Sequence, residues 1–478
     1  MRKLLYAFGI MLTLLVSFAA AADEVAAQIF NPPATRTVTG TEIVNYKNGP
    51  VPVDLSATTI NAYVPSGSGY TVLAGTGTSS GTFTVPNVPT GFYWLQLGAS
   101  YLWTNSSSVN ADSNFGYRSD IVPADPNGTF FSFDLTNLNS WQSTDYFEIV
   151  SPNNNSFEFF PANPGDTTFT GTFNYFGNLS SAAEGDQYYG AQLATQTVGG
   201  FPMTALARYI APPKFTQAQD STTPINGNLK TIAQTNTLEA NINGADLLAQ
   251  ALAANPKATL YASDFGVDVF PGSFAHGQTT STPDLVIYGG FPTISSNGDL
   301  GPVFYGNPYP ATWPLFLIYA YEAETNYTAP GATTSAPILT GTFGSTTNLP
   351  SASNPIQPLV GVVQKPSVNG KNFFGNLKGV GVSPQLRWST PAVGTATYYL
   401  IWVYQLSNVG GATQVSAVAS FYTQQPSLQI PSGLLSTGQT YVFSLTAYSI
   451  PNLNFSKTPF YMGSTTAAAG VVSGMMQP

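Results

Sequence analysis

The side chains with the most chemistry to offer are carboxylates. Glu322 and Glu324 stand two apart in a run that reads as a strand, so they share one face. Asp264 and Asp268 flank a glycine-containing stretch, and Asp284 follows close behind. Two carboxylates suffice for glycoside hydrolysis. Asp264, Asp268 and Asp284 are also the candidate oxygen ligands for Ca²⁺, although no EF-hand spacing accompanies them. Acidic residues so spaced are more often solvated strand faces. The rest of the catalytic repertoire is thin. The chain has no Cys and one His, His276 in Phe274-Ala275-His276-Gly277. A lone loop His is usually solvated and cannot build a multi-His metal site. No phosphate loop with its Lys is present. No catalytic residue is therefore assigned, and a carboxylate-dependent polysaccharide-active enzyme with its site in the middle of the chain stands as the alternative to a binding protein.

Flat aromatics beside Asn and Ser offer a different chemistry, stacking on sugar faces while amides bond hydroxyls. Trp94, Tyr101, Trp103 and Trp313 are the candidates. Trp94 points opposite to Tyr93 and Leu95, hence outward by strand alternation. Composition favours uncharged partners such as glycans, or other surface proteins. Charged residues are 8% of 478, with 14 Lys and Arg against 23 Asp and Glu and a net charge of −9. No basic stripe exists, which argues against nucleic acid.

The N-terminus reads as a secretory leader. Arg2 and Lys3 precede an apolar run from Leu4 to Ala20, and Ala20-Ala21-Ala22 suits a signal peptidase. Residues 1–22 are the expected signal peptide, and no later stretch is long and apolar enough to span a bilayer as a helix. The expected location is extracytoplasmic, secreted or at the cell surface. The remaining length corresponds to about three domains.

What must position these side chains is a set of strands. Short alternating apolar runs separated by turn residues recur, with 45 Gly and 37 Pro. This is an all-β pattern with few short helices. The clearest helix is Gly244 to Asn255, with Leu247, Leu248, Ala251 and Leu252 on one face. Gly-Thr-Phe at Gly81, Gly128, Gly171 and Gly341 reads as strand starts after a turn glycine. Ala211 to Asn228 reads as a long loop, and Ser345 to Pro358 as a linker. The expected architecture is multidomain: a β-sandwich at 34–120, a larger β-rich unit of unknown family at 121–350, and a second sandwich at 356–472.

The end modules carry sharper patterns. Val38 and Gly40, then Gly49-Pro50-Val51, are followed by Gly81-Thr82-Phe83-Thr84-Val85 and Val88-Pro89-Thr90-Gly91-Phe92-Tyr93-Trp94-Leu95. This stretch resembles the carboxypeptidase regulatory-like family, a prealbumin-type, carbohydrate-binding-like sandwich. Ser80 stands where that family carries Asp. The resemblance implies a non-catalytic module. In the last module, Leu386 and Trp388 share a strand face, Tyr399 to Tyr404 forms a long central strand, and Tyr441 follows the corner at Leu435 to Gly438. This is similar to a fibronectin type III domain of the immunoglobulin-like sandwiches, with Trp388 in the core and Tyr441 as the corner tyrosine. Such modules serve as spacers or interaction surfaces.

Overall fold

The computed structural model describes residues 34–67, 69–271, 280–290, 292–461, 463 and 465–478. The expected leader and His276 lie outside them. The described chain is almost entirely β, in several sheets, with one short α-helix and one 3₁₀ turn.

The strands used below are numbered in chain order. The first unit holds β1 (Thr35–Thr41), β2 (Ile60–Ser66), β3 (Thr82–Pro89), β4 (Tyr93–Leu97) and β5 (Ser100–Thr104). β1 pairs antiparallel with β3, setting Val38 opposite Val85 and Gly40 opposite Phe83. A Cβ at Gly40 would lie 2.3 Å from the Phe83 ring, so only glycine fits there. Phe83, Val85, Tyr93, Leu95 and Leu97 are buried, as the alternation predicts.

Two cores occupy the middle of the chain. One is aromatic, built on Phe131 and Phe133 of β6 (Phe130–Thr136) and Phe147 of β7 (Tyr146–Ser151), which forms a hairpin with β8 (Ser156–Phe160). The other fills the space beneath β9 (Tyr189–Val198), β10 (Phe201–Ile210), β11 (Thr259–Val269), β12 (Asp284–Tyr288) and β13 (Leu315–Tyr327), and β13 pairs onward with β14 (Ala336–Thr346). Helix α1 (Gly244–Leu252) covers it with Leu247 and Ala251, but Leu252 is exposed, unlike the expected face. The stretch expected to be a loop after Ala211 carries a strand at Thr222–Asn228 that pairs in parallel with β6. The expected linker is packed: the Ile356 N–H bonds Asn241 O, and Ile356 is buried in the second core. Polar composition hid both segments, because their backbone groups find strand partners rather than water.

The C-terminal part contains β15 (Gln385–Ser389), β16 (Tyr398–Val409), β17 (Ala412–Thr423), β18 (Thr440–Ser449) and β19 (Thr466–Val472). Tyr399, Ile401 and Val403 alternate into a core with Phe443, Leu445 and Trp388. The Tyr441 hydroxyl accepts the Ser436 N–H at 3.0 Å, tying the corner back onto itself.

Two junctions join these parts. β14 pairs antiparallel with β19, Phe343 opposite Ala468. β5 pairs parallel with β17, Tyr101 opposite Phe421. Both faces of β4 are therefore covered, and all five of its residues are buried. Trp94 is only 2% exposed, with its ring edge-on to Phe421 at 5.4 Å. Alternation did direct it away from Tyr93, but into the C-terminal core rather than into solvent.

A buried ion pair fixes the end of the first unit to the middle. The Arg118 guanidinium donates to both oxygens of Asp186, at 3.2 and 3.1 Å. Asp186 also accepts from the Ser181 N–H and from the Asn153 side-chain amide. Arg118→Ala would leave a buried carboxylate uncompensated and should cost about 3–5 kcal/mol, read by denaturant unfolding. Trp94→Ala should cost about 3–5 kcal/mol by the same assay.

Candidate functional site

The β14–β19 junction has an open face. Register fixes which side chains stand on it. Phe343 lies opposite Ala468, Ala468 opposite Tyr448, Gly470 opposite Thr446, and Ser444 opposite Trp402. On the middle side, Gly341 lies opposite Glu322. These residues line a groove of about 240 Å³. The core side chains Tyr399, Ile401 and Val403 alternate with Trp402 and Tyr404, so the latter two point away from the C-terminal core; Trp402 leans on the first unit's core, Tyr404 on the small cluster around Tyr327, and both line the groove.

The floor is made of small residues for a steric reason. A Cβ at Gly341 would lie 2.2 Å from Tyr321 O, and one at Gly470 would lie 2.9 Å from Thr446 Oγ1. Gly341 was expected to start a strand. It sits inside β14, where close approach of β13 demands glycine. Trp402 and Tyr404 form one wall, their rings stacked at 6.2 Å and 21°. Tyr448 is braced by Tyr398, nearly parallel at 4.9 Å, and meets Phe343 edge-on at 6.2 Å. Glu322 forms the opposite wall, four strands from Trp402, or roughly 19 Å at the usual strand spacing.

Among the described residues, Glu322 is the only charged one lining the groove. One strand further, Asp264 lies diagonal to it, because Ala262 pairs with Glu322 and Asp264 with Ala320. The Asp264 carboxyl is pushed up to about 6, first by desolvation and then by the charge of Glu322, although the residue still reaches solvent. The groove thus joins an aromatic wall and a hydroxyl-bearing floor to a carboxylate end. It can stack flat rings and accept hydrogen bonds, and it presents no cation to an anionic ligand.

The other sequence candidates lie elsewhere. Tyr101 is 5% exposed and stacks on Phe421 at 4.6 Å, so neither it nor Trp94 has a free face. Trp103 is half-buried and stacks on exposed Phe92 at 5.6 Å. Trp313 is half-buried against Tyr309, far along the chain and in a different core. The four form no common platform, because two of them became the glue between units. The three aspartates do not gather either. Asp264 faces Glu322, while Asp268 and Asp284 meet Glu148 in the interior. Among the described residues, no group of three or more His, Cys, Asp or Glu could hold a metal ion.

Trp402, Tyr404 and Tyr448 escaped the sequence reading, which used β16 and β18 only for their core-facing residues. The signal was present in the alternate positions, where aromatics stand on the face turned away from the C-terminal core and toward the other units.

No family model matches the chain, and no curated protein matches it. No helix among the described residues is long and apolar enough to cross a membrane.

If Asp264 and Glu322 share the acid end as their positions require, Glu322→Gln should return the Asp264 carboxyl toward its ordinary range. Carboxyl-selective NMR titration would register the drop. An unchanged titration would mean that the two do not interact.

Proposed function

We propose that the chain is an exported, non-enzymatic binding protein whose junction groove holds an uncharged glycan. The observation that carries this reading is the pairing of the Trp402–Tyr404 wall with a floor of Ser444, Thr446, Gly341 and Gly470. Aromatic faces take the apolar side of a sugar ring, and hydroxyls and backbone groups take its polar rim. The leader-like N-terminus and the charge-poor composition support an extracytoplasmic place of work. The carboxylate end, unopposed by Lys or Arg in the lining, disfavours uronic or sulfated sugars.

A second reading draws on one further observation. Asp264 stands beside Glu322, and its carboxyl holds its proton more tightly than an ordinary aspartate does. A raised carboxyl next to a second one is what glycoside hydrolysis needs.

A glycan array with the mature chain, followed by titration of the best neutral oligosaccharide, tests the first reading. Trp402→Ala and Tyr404→Ala should each weaken binding by about tenfold, the equivalent of about 1.4 kcal/mol for a lost stacking face. Trp94→Ala, in any fraction that folds, should leave affinity unchanged. Acidic glycans should give no signal. A polysaccharide-degradation assay run beside it should be silent. New reducing ends that vanish in Asp264→Asn or Glu322→Gln would move the assignment to the second reading.

A further inference from the structure

Away from the groove, three carboxyls meet in the interior with no cation among the described residues to balance them. Glu148 comes from β7, Asp268 from β11 and Asp284 from β12, and Asp268 lies opposite Asp284 in the strand pair. The Asp284 N–H donates to the two Glu148 oxygens at 3.4 and 3.3 Å. The Thr282 hydroxyl donates to Asp268 Oδ2 at 2.9 Å. Glu148 is fully buried, Asp284 is 9% exposed and Asp268 is half-buried. The Tyr309 hydroxyl, in a residue 6% exposed, feels the charge of Glu148 and Asp284 and has no hydrogen-bond partner among the described residues.

Every described titratable group acting on this cluster is an acid or a phenol. Glu148, Asp268 and Asp284 act on one another, Tyr309 stands against two of them, and Tyr189 and Tyr209 stand behind Tyr309. Among the described residues the ion pairs belong to Arg118, with Asp120 and Asp186, and none reaches the cluster. Taking carboxylates out of water without a counter-charge costs several kcal/mol each. Protonation removes that cost. It also allows O–H···O⁻ bonds, which are among the strongest a protein makes.

We propose that protons shared among Glu148, Asp268 and Asp284 latch the β7–β8 hairpin to the segment entering β12, closed in acid and loosened in alkali. The cluster sits where the two middle cores meet. Neutral bonds guide the same segment onto the hairpin: Thr280 Oγ1 donates to Pro152 O at 2.7 Å, and the Ser281 N–H donates to Asn155 Oδ1 at 2.9 Å. These bonds do not change with pH, so the pH response belongs to the carboxyls.

Desolvation pushes all three carboxyls up, with like charges adding to it at Glu148 and Asp284. A carboxyl that binds its proton more tightly in the folded chain destabilises that chain only where the unfolded chain has already lost the proton. The latch is therefore complete below the ordinary carboxyl values, 3.8 for Asp and 4.5 for Glu, and it is lost as pH climbs through the raised values of the folded chain.

Hydrogen exchange on the whole mature chain between pH 5 and 9, corrected for base catalysis of exchange, tests this. Amides in 146–151 and 284–288 should open about tenfold more per pH unit for each proton released, while β16 and β18 stay protected. In the Glu148→Gln/Asp268→Asn/Asp284→Asn variant that dependence should vanish. A flat wild-type profile would overturn the latch, as would a rise that persists in the variant. If the variant does not fold, the infrared carbonyl band of protonated carboxyls at pH 7, recorded in an Asp264→Asn chain so that this carboxyl does not contribute, decides: its presence supports the latch and its absence contradicts it. None of these readouts involves a glycan, so the latch and the groove stand or fall separately.

Discussion

The backbone ladder between β14 and β19 is the constraint on which the rest depends. It brings a strand from the middle of the chain against one of its last strands, across more than a hundred residues of sequence. Closing so long a loop is entropically costly, and the ladder must be supported by burial on at least one face. It is. Tyr321 and Ala323 lie in the core on one side, and Ala467, Ala469 and Val471 lie in the core on the other. The opposite face is left open, and it becomes the groove. Small residues at the junction serve both ends: Gly341 and Gly470 let the strands approach, and their missing side chains make the floor.

The same logic explains why aromatics are distributed as they are. A chain with 8% charged residues has few ion pairs available, and Arg118 makes the buried one among the described residues. Cohesion between units falls instead to rings. Trp94, Tyr101 and Phe421 join the first unit to the last, and Tyr398 and Leu400 enter the first unit's core from the C-terminal side. What remains outside is hydroxyl- and amide-rich, with Trp402 and Tyr404 among the large rings left at a concave surface. In the interior the three unpaired carboxyls are the exception to this economy of charge, and protons are the counter-ions the proposal gives them.

The β class and its alternation were legible in the sequence because a period of two needs only neighbouring residues. The core sets Tyr93, Leu95, Leu97 and Tyr399, Ile401, Val403 follow from it directly. Tyr441 was legible too, since a tyrosine after a corner has one place for its hydroxyl. The outward positions were not. Whether Trp94 meets water or Phe421 depends on which distant strand pairs with β5, and alternation carries no information about that. Glu148 was invisible for the same reason, since its partners lie more than a hundred residues on. The expected cluster of Asp264, Asp268 and Asp284 split in one place: Asp268 and Asp284 meet because they face each other in the β11–β12 pair, while Asp264 stands four residues back along β11, diagonal to Glu322.

The register at the junction can be tested directly, because the chain has no cysteine to interfere. Residues directly opposite in an antiparallel pair have Cα atoms about 4.5–5.5 Å apart, within reach of a disulfide. A Phe343→Cys/Ala468→Cys variant, oxidised and read by mass and non-reducing mobility, should form an intramolecular crosslink in high yield. A Phe343→Cys/Ala467→Cys control, shifted by one residue and so facing the other side of the sheet, should not. Equal crosslinking in both, or none in the first, would contradict the junction and remove the floor from the groove.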